Sequence, residues 1–306
     1  MLDFKFRYKI ISFFQDINIK GFRRIASVLP GWLIPFPETA CIVKTLYGFN
    51  LYVDPLTDSG VERSLYYTGT YEKGTLYIIK CILQQGDIFI DIGANIGLMS
   101  IFAATLVKEE GRVIAFEPNP VTRELLEKNV ELNSFSNIEI SPFAIGSKND
   151  SATIYDRWDS NRGSASLIKP AIESESYSIR TIKLSDYFEL KKDIRMIKID
   201  VEGFELEVLK GADEILMQND SPILIVECSE TRENTFGADV GLIYDQLKNN
   251  HYRLYKSKGG KERVSKLVEI ISKSDLPKHD NIYCFKNIHL HSVSSHLFED
   301  VPVKFK

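Results

Sequence analysis

Short apolar runs alternate with segments of helical periodicity from about Cys41 onwards, and this alternation constrains the fold more than any other feature. The runs are rich in β-branched and aromatic residues, as buried strands are, and most are followed by apolar residues at helical spacing. Strands that alternate with helices pair in parallel and are covered on both faces. The sequence therefore predicts an α/β, doubly wound sheet with an N-terminal extension.

These runs place the individual elements and divide the chain. We expect an extension (1–40), two strands and a helix that cover the functional site (41–86), a main domain (87–290) and a tail (291–306). The predicted strands are two within Cys41–Val53, then Ile88–Ile92, Val113–Phe116, Ile138–Ile145, Met196–Val201, Ile223–Glu227, His251–Tyr255 and Ile282–Phe285. The predicted helices are Thr75–Leu83, Ile96–Leu106, Val121–Asn133, Phe204–Met217 and Gly241–Asn249.

The first 36 residues differ from the rest in charge. They hold six Lys or Arg residues against two Asp, a balance of +4, and since the whole chain carries −4 the remainder carries −8. Two interpretations are open: a basic amphipathic helix on an anionic membrane surface, or, as we favour, a helix that packs on the main domain or on a partner subunit. The apolar face of that helix would consist of Phe6, Ile10, Phe13, Phe14 and Ile17.

Composition excludes several classes of protein. The net charge of −4 gives no overall field that would attract nucleic acid, so no nucleic-acid partner is expected. The four cysteines are scattered without a C-x-x-C pair, which argues against a disulfide framework or a zinc ribbon and suits a reducing cytoplasm. No apolar run reaches the roughly 18 residues that a membrane span needs. We expect a cytoplasmic protein, with peripheral membrane contact through residues 1–36 as the open alternative.

A glycine-containing loop follows the first predicted strand of the main domain. It reads Asp91-Ile92-Gly93-Ala94-Asn95-Ile96-Gly97 and does not fit the dinucleotide pattern G-x-G-x-x-G. Asn95 stands where a middle glycine is usual, and asparagine tolerates left-handed backbone geometry. Glu117 ends the next strand, where a carboxylate can accept hydrogen bonds from both hydroxyls of a ribose. The set favours a nucleoside without a pyrophosphate, with S-adenosylmethionine (SAM) as the candidate, over a plain tight turn with a surface glutamate.

A second constellation reads Lys198-Ile199-Asp200-Val201-Glu202-Gly203-Phe204-Glu205 and continues to Gly211. Together with Phe89–Gly97 and Ala115–Pro120, it resembles the FkbM family of SAM-dependent methyltransferases, and the resemblance spans about Val43 to Phe285. It implies a class I methyltransferase sheet, a Rossmann-like sheet in the strand order 3-2-1-4-5-7-6 with strand 7 antiparallel. It also implies methylation of hydroxyl oxygens on sugars, glycolipids or polyketide-like natural products.

The resemblance further implies which residues surround the cofactor. Asp91, Gly93, Asn95 and Gly97 would hold the methionyl part of SAM, and Glu117 would hold its ribose. Ala144 and Ile145 would border the adenine, and Tyr71 and Glu72 would close over the cofactor.

Carboxylates at strand ends are the candidate catalytic residues. A sugar hydroxyl is a poor nucleophile until a positioned base takes its proton. Asp200 follows the fourth strand at the edge that faces the cofactor, so it is the first candidate for that base. Glu202 would share this role or bind the acceptor, although both residues would alternatively anchor the helix that begins at Phe204. Glu227, at the end of the next strand, is expected to bind the acceptor.

Two further expectations concern the acceptor and a metal. Asn161 and Ser164 lie in a polar loop after the third strand and fit the family's pattern, so they are expected to contact the acceptor rather than form an ordinary turn. Asp200, Glu202 and Glu227 offer oxygens that suit a divalent cation. Nothing in their spacing demands one, and no metal is expected.

The leading hypothesis is a SAM-dependent methyltransferase that acts on a hydroxyl of a sugar, glycan or glycolipid. One alternative is an NAD-dependent oxidoreductase on a similar sheet, and the missing G-x-G-x-x-G pattern argues against it. The other is a catalytically silent scaffold at a membrane surface. The presence of Asp91, Glu117, Asp200 and Glu202 argues against that alternative.

Overall fold

The computed structural model describes residues 5–16, 29–156, 165–167, 169, 174–187, 193–229 and 240–299. In chain order the strands are β1 (Cys41–Lys44), β2 (Asn50–Val53), β3 (Ile88–Ile92), β4 (Arg112–Phe116), β5 (Ile138–Ser141), β6 (Ala144–Ile145), β7 (Asp150–Tyr155), β8 (Ser176–Ile182), β9 (Ile194–Ile199), β10 (Ile223–Ser229), β11 (Arg253–Ser257), β12 (Leu267–Glu269) and β13 (His279–Phe285).

Eight of these strands form the central sheet, in the order β12-β11-β13-β10-β9-β3-β4-β5. The strands from β10 to β5 pair in parallel, whereas β13 lies antiparallel to both of its neighbours, β10 and β11. Counted from the β5 edge, this is the predicted order 3-2-1-4-5-7-6 with strand 7 antiparallel, so the class I sheet is confirmed. β12 adds one short edge strand that the sequence did not predict.

Helices cover both faces of the central sheet. Along β3, Phe89 packs into a core that includes residues of α3 and α4, and Ile90 packs into a second core that includes residues of α7 and α9. Both faces are buried, because parallel strands are covered on each side by their crossover helices. The helices are α1 (Lys5–Asp16), α2 (Val61–Thr68), α3 (Lys73–Ile82), α4 (Leu98–Val107), α5 (Pro120–Asn133), α6 (Leu184–Tyr187), α7 (Glu205–Gly211), α8 (Asp213–Leu216), α9 (Val240–Asn249) and α10 (Asn287–Leu290).

Two predicted elements are divided in the structure. The predicted strand Ile138–Ile145 is wrong as one strand, because β5 ends before Pro142 and β6 belongs to a separate three-stranded sheet of order β6-β8-β7. Proline has no backbone N–H and cannot continue a central strand. The predicted helix Phe204–Met217 is likewise two short helices, α7 and α8, which meet at Ala212.

Helix α1 packs on α2 with a different face from the one predicted. Tyr8 and Ile11 are fully buried, whereas Phe6 and Phe13 of the predicted apolar face are exposed, and Ile17 lies outside the described residues. The Tyr8 hydroxyl donates a hydrogen bond to the Tyr66 carbonyl at 2.8 Å. The Tyr8 ring fits against Gly69, where an added Cβ would lie only 2.4 Å from it. Periodicity therefore identified a helix but selected the wrong face as its core.

None of the helices in the described ranges combines the length and apolar character needed to cross a bilayer.

Candidate active site

A pocket of roughly 1160 Å³, its open mouth included, lies at the carboxyl ends of β3, β4, β9 and β10. This is the edge at which doubly wound sheets bind their ligands. Gly97 does not line the pocket but begins α4 below it, and Asn161 and Ser164 lie outside the described residues. The predicted site residues that do line it are Tyr71, Glu72, Asp91, Gly93, Asn95, Glu117, Ala144, Ile145, Asp200, Glu202 and Glu227.

The glycine loop brings the ends of two strands into direct contact. Gly93 has a φ of +83°, and an added Cβ would lie 1.9 Å from the Asp200 carbonyl oxygen, so only glycine fits there. Asn95 has a φ of +50°, the left-handed geometry that the sequence indicated. Its backbone N–H donates to Glu117 Oε2 at 2.9 Å. The loop thus fixes the position of the carboxylate at the end of β4.

Glu117 is held by the backbone through both of its carboxylate oxygens. Oε2 accepts from Asn95, and Oε1 accepts from the Asn119 N–H at 3.0 Å. Burial raises the pKa of Glu117 to about 7, although these two hydrogen bonds act to lower it. Each oxygen retains capacity to accept a second hydrogen bond, so the side chain can bind a pair of hydroxyls.

Asp91 is buried at the floor of the pocket with one oxygen available. Its Oδ2 accepts a hydrogen bond from the Ser100 hydroxyl at 2.6 Å. Its Oδ1 is buried and has no hydrogen-bond partner among the residues that the structure describes. Burial raises the pKa of Asp91 to about 6, and the charge of Lys198 opposes this rise. A buried acceptor without a partner is costly, so we expect Oδ1 to bind a donor or a positive charge of a ligand.

Asp200 forms an ion pair with a lysine of β9, the strand that it directly follows. Lys198 Nζ lies 2.7 Å from Asp200 Oδ2, and the Lys198 side chain is almost completely buried. Burial alone would raise the pKa of Asp200, but the charges of Lys198 and Lys261 lower it to about 2. Asp200 is therefore ionised at neutral pH and carries a fixed negative charge beside the glycine loop.

Glu227 is the carboxyl group of the site that retains its proton most strongly. The charge of Asp200, followed by burial, raises the pKa of Glu227 to about 9. One carboxylate oxygen from each of Asp200, Glu202 and Glu227 lies within 4.8 Å of the others. Like charges this close do not ionise together, so Asp200 and Glu227 share one proton at neutral pH and titrate as a pair.

Lys261 joins this carboxylate pair to the N-terminal strands and helices that cover the pocket. Its Nζ lies 2.7 Å from Glu227 Oε1 and 2.9 Å from Glu72 Oε1. The other Glu72 oxygen accepts from the Asn281 amide at 2.9 Å. Backbone contacts fix the lysine as well, because the Gly74 N–H donates to the Lys261 carbonyl at 2.8 Å. We call Asp200, Glu227, Lys198, Lys261 and Glu72 the carboxylate–lysine cluster.

Glu205 occupies the helix-anchoring position that the sequence left open for Asp200 and Glu202. Its Oε1 accepts from the Gly203 N–H at 3.1 Å and from the Val201 N–H at 3.3 Å, next to the start of α7. Asp200 instead faces the pocket through its pairing with Lys198. Glu202 also lines the pocket and has a strained φ of +49°, a feature that clusters at functional sites.

Three residues of the site were not predicted from the sequence: Lys198, Lys261 and the aromatic residue Phe143. Lys198 and Asp200 are two residues apart on a strand and therefore point to the same face, so their pairing could have been predicted. Lys261 carries no local signal, because its partners lie in other parts of the chain. Phe143 lines the pocket next to Ala144 and Ile145.

The glycine-loop side of the pocket fits a nucleoside that carries a positive centre. Asp91 offers a buried oxygen that no described residue pairs with, Glu117 offers acceptors for a ribose, and the apolar end formed with Ala144 and Ile145 suits a purine ring. These residues would hold the methionyl, ribose and adenine parts of SAM in turn.

The curated proteins include several methyltransferases that resemble this chain. "Methyltransferase 1" of Beauveria bassiana is 24% identical over 54% of this chain and 73% of its own length. The hexuronic acid methyltransferase AglP of Haloferax volcanii is 31% identical over 47% of this chain, and methyltransferase sdnD of Sordaria araneosa is 28% identical over 43%. The chain spans only 59% and 62% of the last two proteins, respectively.

A solved structure and a family model also match parts of this chain. A SAM-dependent O-methyltransferase from Thermotoga maritima superimposes with a TM-score of 0.42 and 16% identity, over 81% of this chain and 78% of that chain. The family model of the methyltransferase FkbM domain matches residues 91–254, which is more than half of the chain and includes Asp91, Glu117, Asp200 and Glu227. The chain therefore belongs to the FkbM family of SAM-dependent methyltransferases.

Proposed function

We propose that this protein methylates a hydroxyl oxygen of a sugar, on a glycan or a glycolipid acceptor. The observation that carries the proposal is the set of carboxylates Asp200, Glu202 and Glu227 beside the glycine loop, all at the mouth of one pocket. A hydroxyl acceptor has a proton to lose, and these groups are placed to accept it. The likeness to a hexuronic acid methyltransferase supports a saccharide as the acceptor.

The chain's own residues divide into those that hold the cofactor and those that handle the proton. When bound, SAM supplies a methyl group on a positively charged sulfur. Asp91 and Glu117 would hold it from below, and Tyr71 and Glu72 would close over it from the N-terminal side. Methyl transfer depends chiefly on alignment of the acceptor oxygen, so the fixed backbone of the glycine loop contributes by keeping these groups in place.

Asp200 is the proposed general base, and it acts as one half of the pair with Glu227. SAM would supply the methyl group and leave as S-adenosylhomocysteine when its carbon–sulfur bond breaks. The proton of the acceptor hydroxyl would pass to a carboxylate oxygen of the pair. Because the pair holds one proton at neutral pH, its strongly basic, fully ionised form increases as the pH rises towards about 9, the pKa of Glu227. We expect turnover to rise over the same range.

A screen of acceptors tests the proposal. Purified protein and SAM would be incubated with hexoses, hexuronic acids and lipid-linked saccharides, and the position of the methyl group determined by mass spectrometry and NMR. A methyl ether on a ring hydroxyl is expected. A methyl ester on a hexuronic acid carboxylate would contradict the hydroxyl assignment, because a carboxylate needs no base.

The same samples distinguish the other functions considered. Titration calorimetry should detect micromolar binding of S-adenosylhomocysteine (SAH) and none of NADH. The oxidoreductase is set aside because the chain belongs to a methyltransferase family. If SAH binds and no acceptor of any class is methylated, the scaffold replaces the enzyme as the favoured function.

A further inference from the structure

Four large aromatic side chains near the N-terminus are exposed to solvent. Phe6 is 76% exposed, Phe13 64%, Trp32 79% and Phe36 71%. Monomeric soluble proteins seldom expose aromatic residues in a group, and groups of this kind mark surfaces that bind a partner or a membrane. These residues lie in two short segments, 5–16 and 29–36, on the side of the chain that precedes β1.

The exposed side chains of α1 lie opposite the face that holds the helix in place. At about 100° per residue, Phe6, Ile10 and Phe13 form one row along the helix, and Tyr8 and Ile11 lie on the other side. That other side is fixed by the Tyr8 hydrogen bond to Tyr66 and by the core it joins. The helix has apolar residues on both sides, and within the described part of the chain the core includes Tyr8 and Ile11 of one side, while Phe6 and Phe13 of the other are exposed.

Polar contacts join the two aromatic segments into one unit. The Arg7 guanidinium donates a hydrogen bond to the Leu33 carbonyl, next to Trp32. Lys73 Nζ donates to the Ser12 hydroxyl at 2.8 Å, which fixes α1 to the start of α3. The aromatic side chains are therefore presented from a backbone that is already docked. No ordering of the helix would be needed when they bind a surface.

Charge identifies the kind of surface that fits. Lys5 and Lys9 are exposed and lie one helical turn apart, beside the row that contains Phe6 and Phe13. Lys5, Arg7 and Lys9 are all exposed within the described segment 5–16, so an anionic surface attracts this side of the protein. Tryptophan and phenylalanine flanked by lysine are the side chains that settle at the boundary between lipid headgroups and acyl chains.

We infer that Phe6, Phe13, Trp32 and Phe36, with Lys5 and Lys9, form a docking surface that binds the protein peripherally to an anionic lipid bilayer. We call these six residues the N-terminal aromatic surface. At 12 residues, α1 is about 18 Å long, too short to cross a bilayer, so it lies in the plane of the membrane with its aromatic row turned towards the lipid. The inference does not depend on which acceptor is methylated.

Vesicle sedimentation of the full chain tests this inference. The probes are vesicles of phosphatidylcholine alone and of phosphatidylcholine with about one third phosphatidylglycerol. Binding to the anionic vesicles is expected, with little binding to the neutral ones and a decrease in high salt. We expect Phe6→Ala with Phe13→Ala to weaken binding at least about tenfold, because two apolar side chains lose their burial in lipid. Loss of each lysine as Lys→Gln should weaken it roughly fivefold.

Matched variants elsewhere keep the test specific. Ile271 and Met217 are 71% and 66% exposed and lie far from the N-terminal segments in the chain, so Ile271→Ala with Met217→Ala should leave vesicle binding unchanged. All variants should bind SAH like the wild type, since none of these residues lines the pocket. Point variants are preferred to deletion of α1, which would also remove Tyr8 and Ile11 from the core.

Three results would each overturn the inference. The first is absence of binding to anionic vesicles by a protein that binds SAH. The second is an equal loss of binding in the control pair, which would indicate nonspecific adsorption. The third is a dimer in analytical ultracentrifugation that the phenylalanine variants dissociate, because the surface would then bind a second copy of this chain.

Discussion

The carboxylates on the two sides of the pocket are held in place by different means. On the glycine-loop side, Asp91 and Glu117 accept hydrogen bonds from a serine and from backbone amides. In the carboxylate–lysine cluster, Asp200 and Glu227 are paired with buried or half-buried lysines. Burial raises the pKa of both Asp91 and Glu117. In the cluster, the pKa of Asp200 is lowered and that of Glu227 is raised.

The two kinds of partner, neutral hydrogen-bond donors on one side and lysines on the other, suit two different tasks, ligand binding and proton transfer. Neutral donors position an acceptor group without cancelling its charge, which suits recognition of hydroxyls and a positive centre. A lysine beside one member of a carboxylate pair, as Lys198 is beside Asp200, separates the proton affinities of the two members, which suits proton transfer. The comparison predicts that substitutions on the glycine-loop side change binding of SAH, and that substitutions in the cluster change turnover and its dependence on pH.

The largest effect is expected from Asp200→Asn. Turnover should fall by about 100-fold or more, because the proposed general base is lost, while calorimetry should give an unchanged affinity for SAH. The alkaline rise in rate should also move to lower pH, since the charge of Asp200 is the main cause of the raised pKa of Glu227. The control is Asp245→Asn, which removes a surface carboxylate paired with Lys273. Wild-type turnover in Asp200→Asn would exclude Asp200 as the base.

The second effect concerns the other side of the pocket. Glu117→Ala should weaken SAH binding by about 1.5–3 kcal/mol, the contribution of hydrogen bonds to a charged group, or roughly ten- to hundredfold in the dissociation constant. Glu124→Ala, an exposed glutamate on α5, is the matched control. Unchanged affinity in Glu117→Ala, measured by calorimetry, would show that this carboxylate does not bind the ribose.

Lys261→Met should produce an intermediate effect within the cluster. The charge of Lys261 lowers the pKa of Glu227. Removal of Lys261 should therefore shift the alkaline rise in rate to higher pH, by about one pH unit. Turnover measured at a fixed pH near 8 should fall by about tenfold as a result. Lys258→Met, in the same loop and exposed, controls for the loss of a lysine. A lower rate with an unmoved limb would assign Lys261 a structural role only.

How much the sequence could predict differs between these regions for a physical reason. The alternation of strands with helices and the glycine-loop side follow from local rules: buried apolar runs, a position that only glycine fits, and an acid at the end of the next strand. The strand order was implied by the family resemblance and not by any local pattern. The role of Lys261 could not be predicted, because it depends on a loop between β11 and β12 that reaches Glu72 across the fold. The same holds for α1, whose periodicity defines a helix but not which side meets Gly69.

The smallest effect expected is the pH dependence of SAH binding, and it separates the two sides most directly. The pKa of Glu117 is raised to about 7, so below that pH a proton would compete for its oxygens with the ribose hydroxyls that we propose it binds. Affinity should therefore be lost as the pH falls from 8 to 6, by less than about tenfold for one proton.

Stability of the ligand-free protein should change in the opposite direction. An acid whose folded pKa is raised favours the folded state below its unfolded pKa, and this contribution is lost as the pH rises through about 7. Glu117→Gln should abolish most of both slopes, whereas Asp200→Asn should leave the slope of SAH affinity intact. Equal flattening by the two variants, measured by calorimetry across this range, would mean that both sides of the pocket titrate as a single unit.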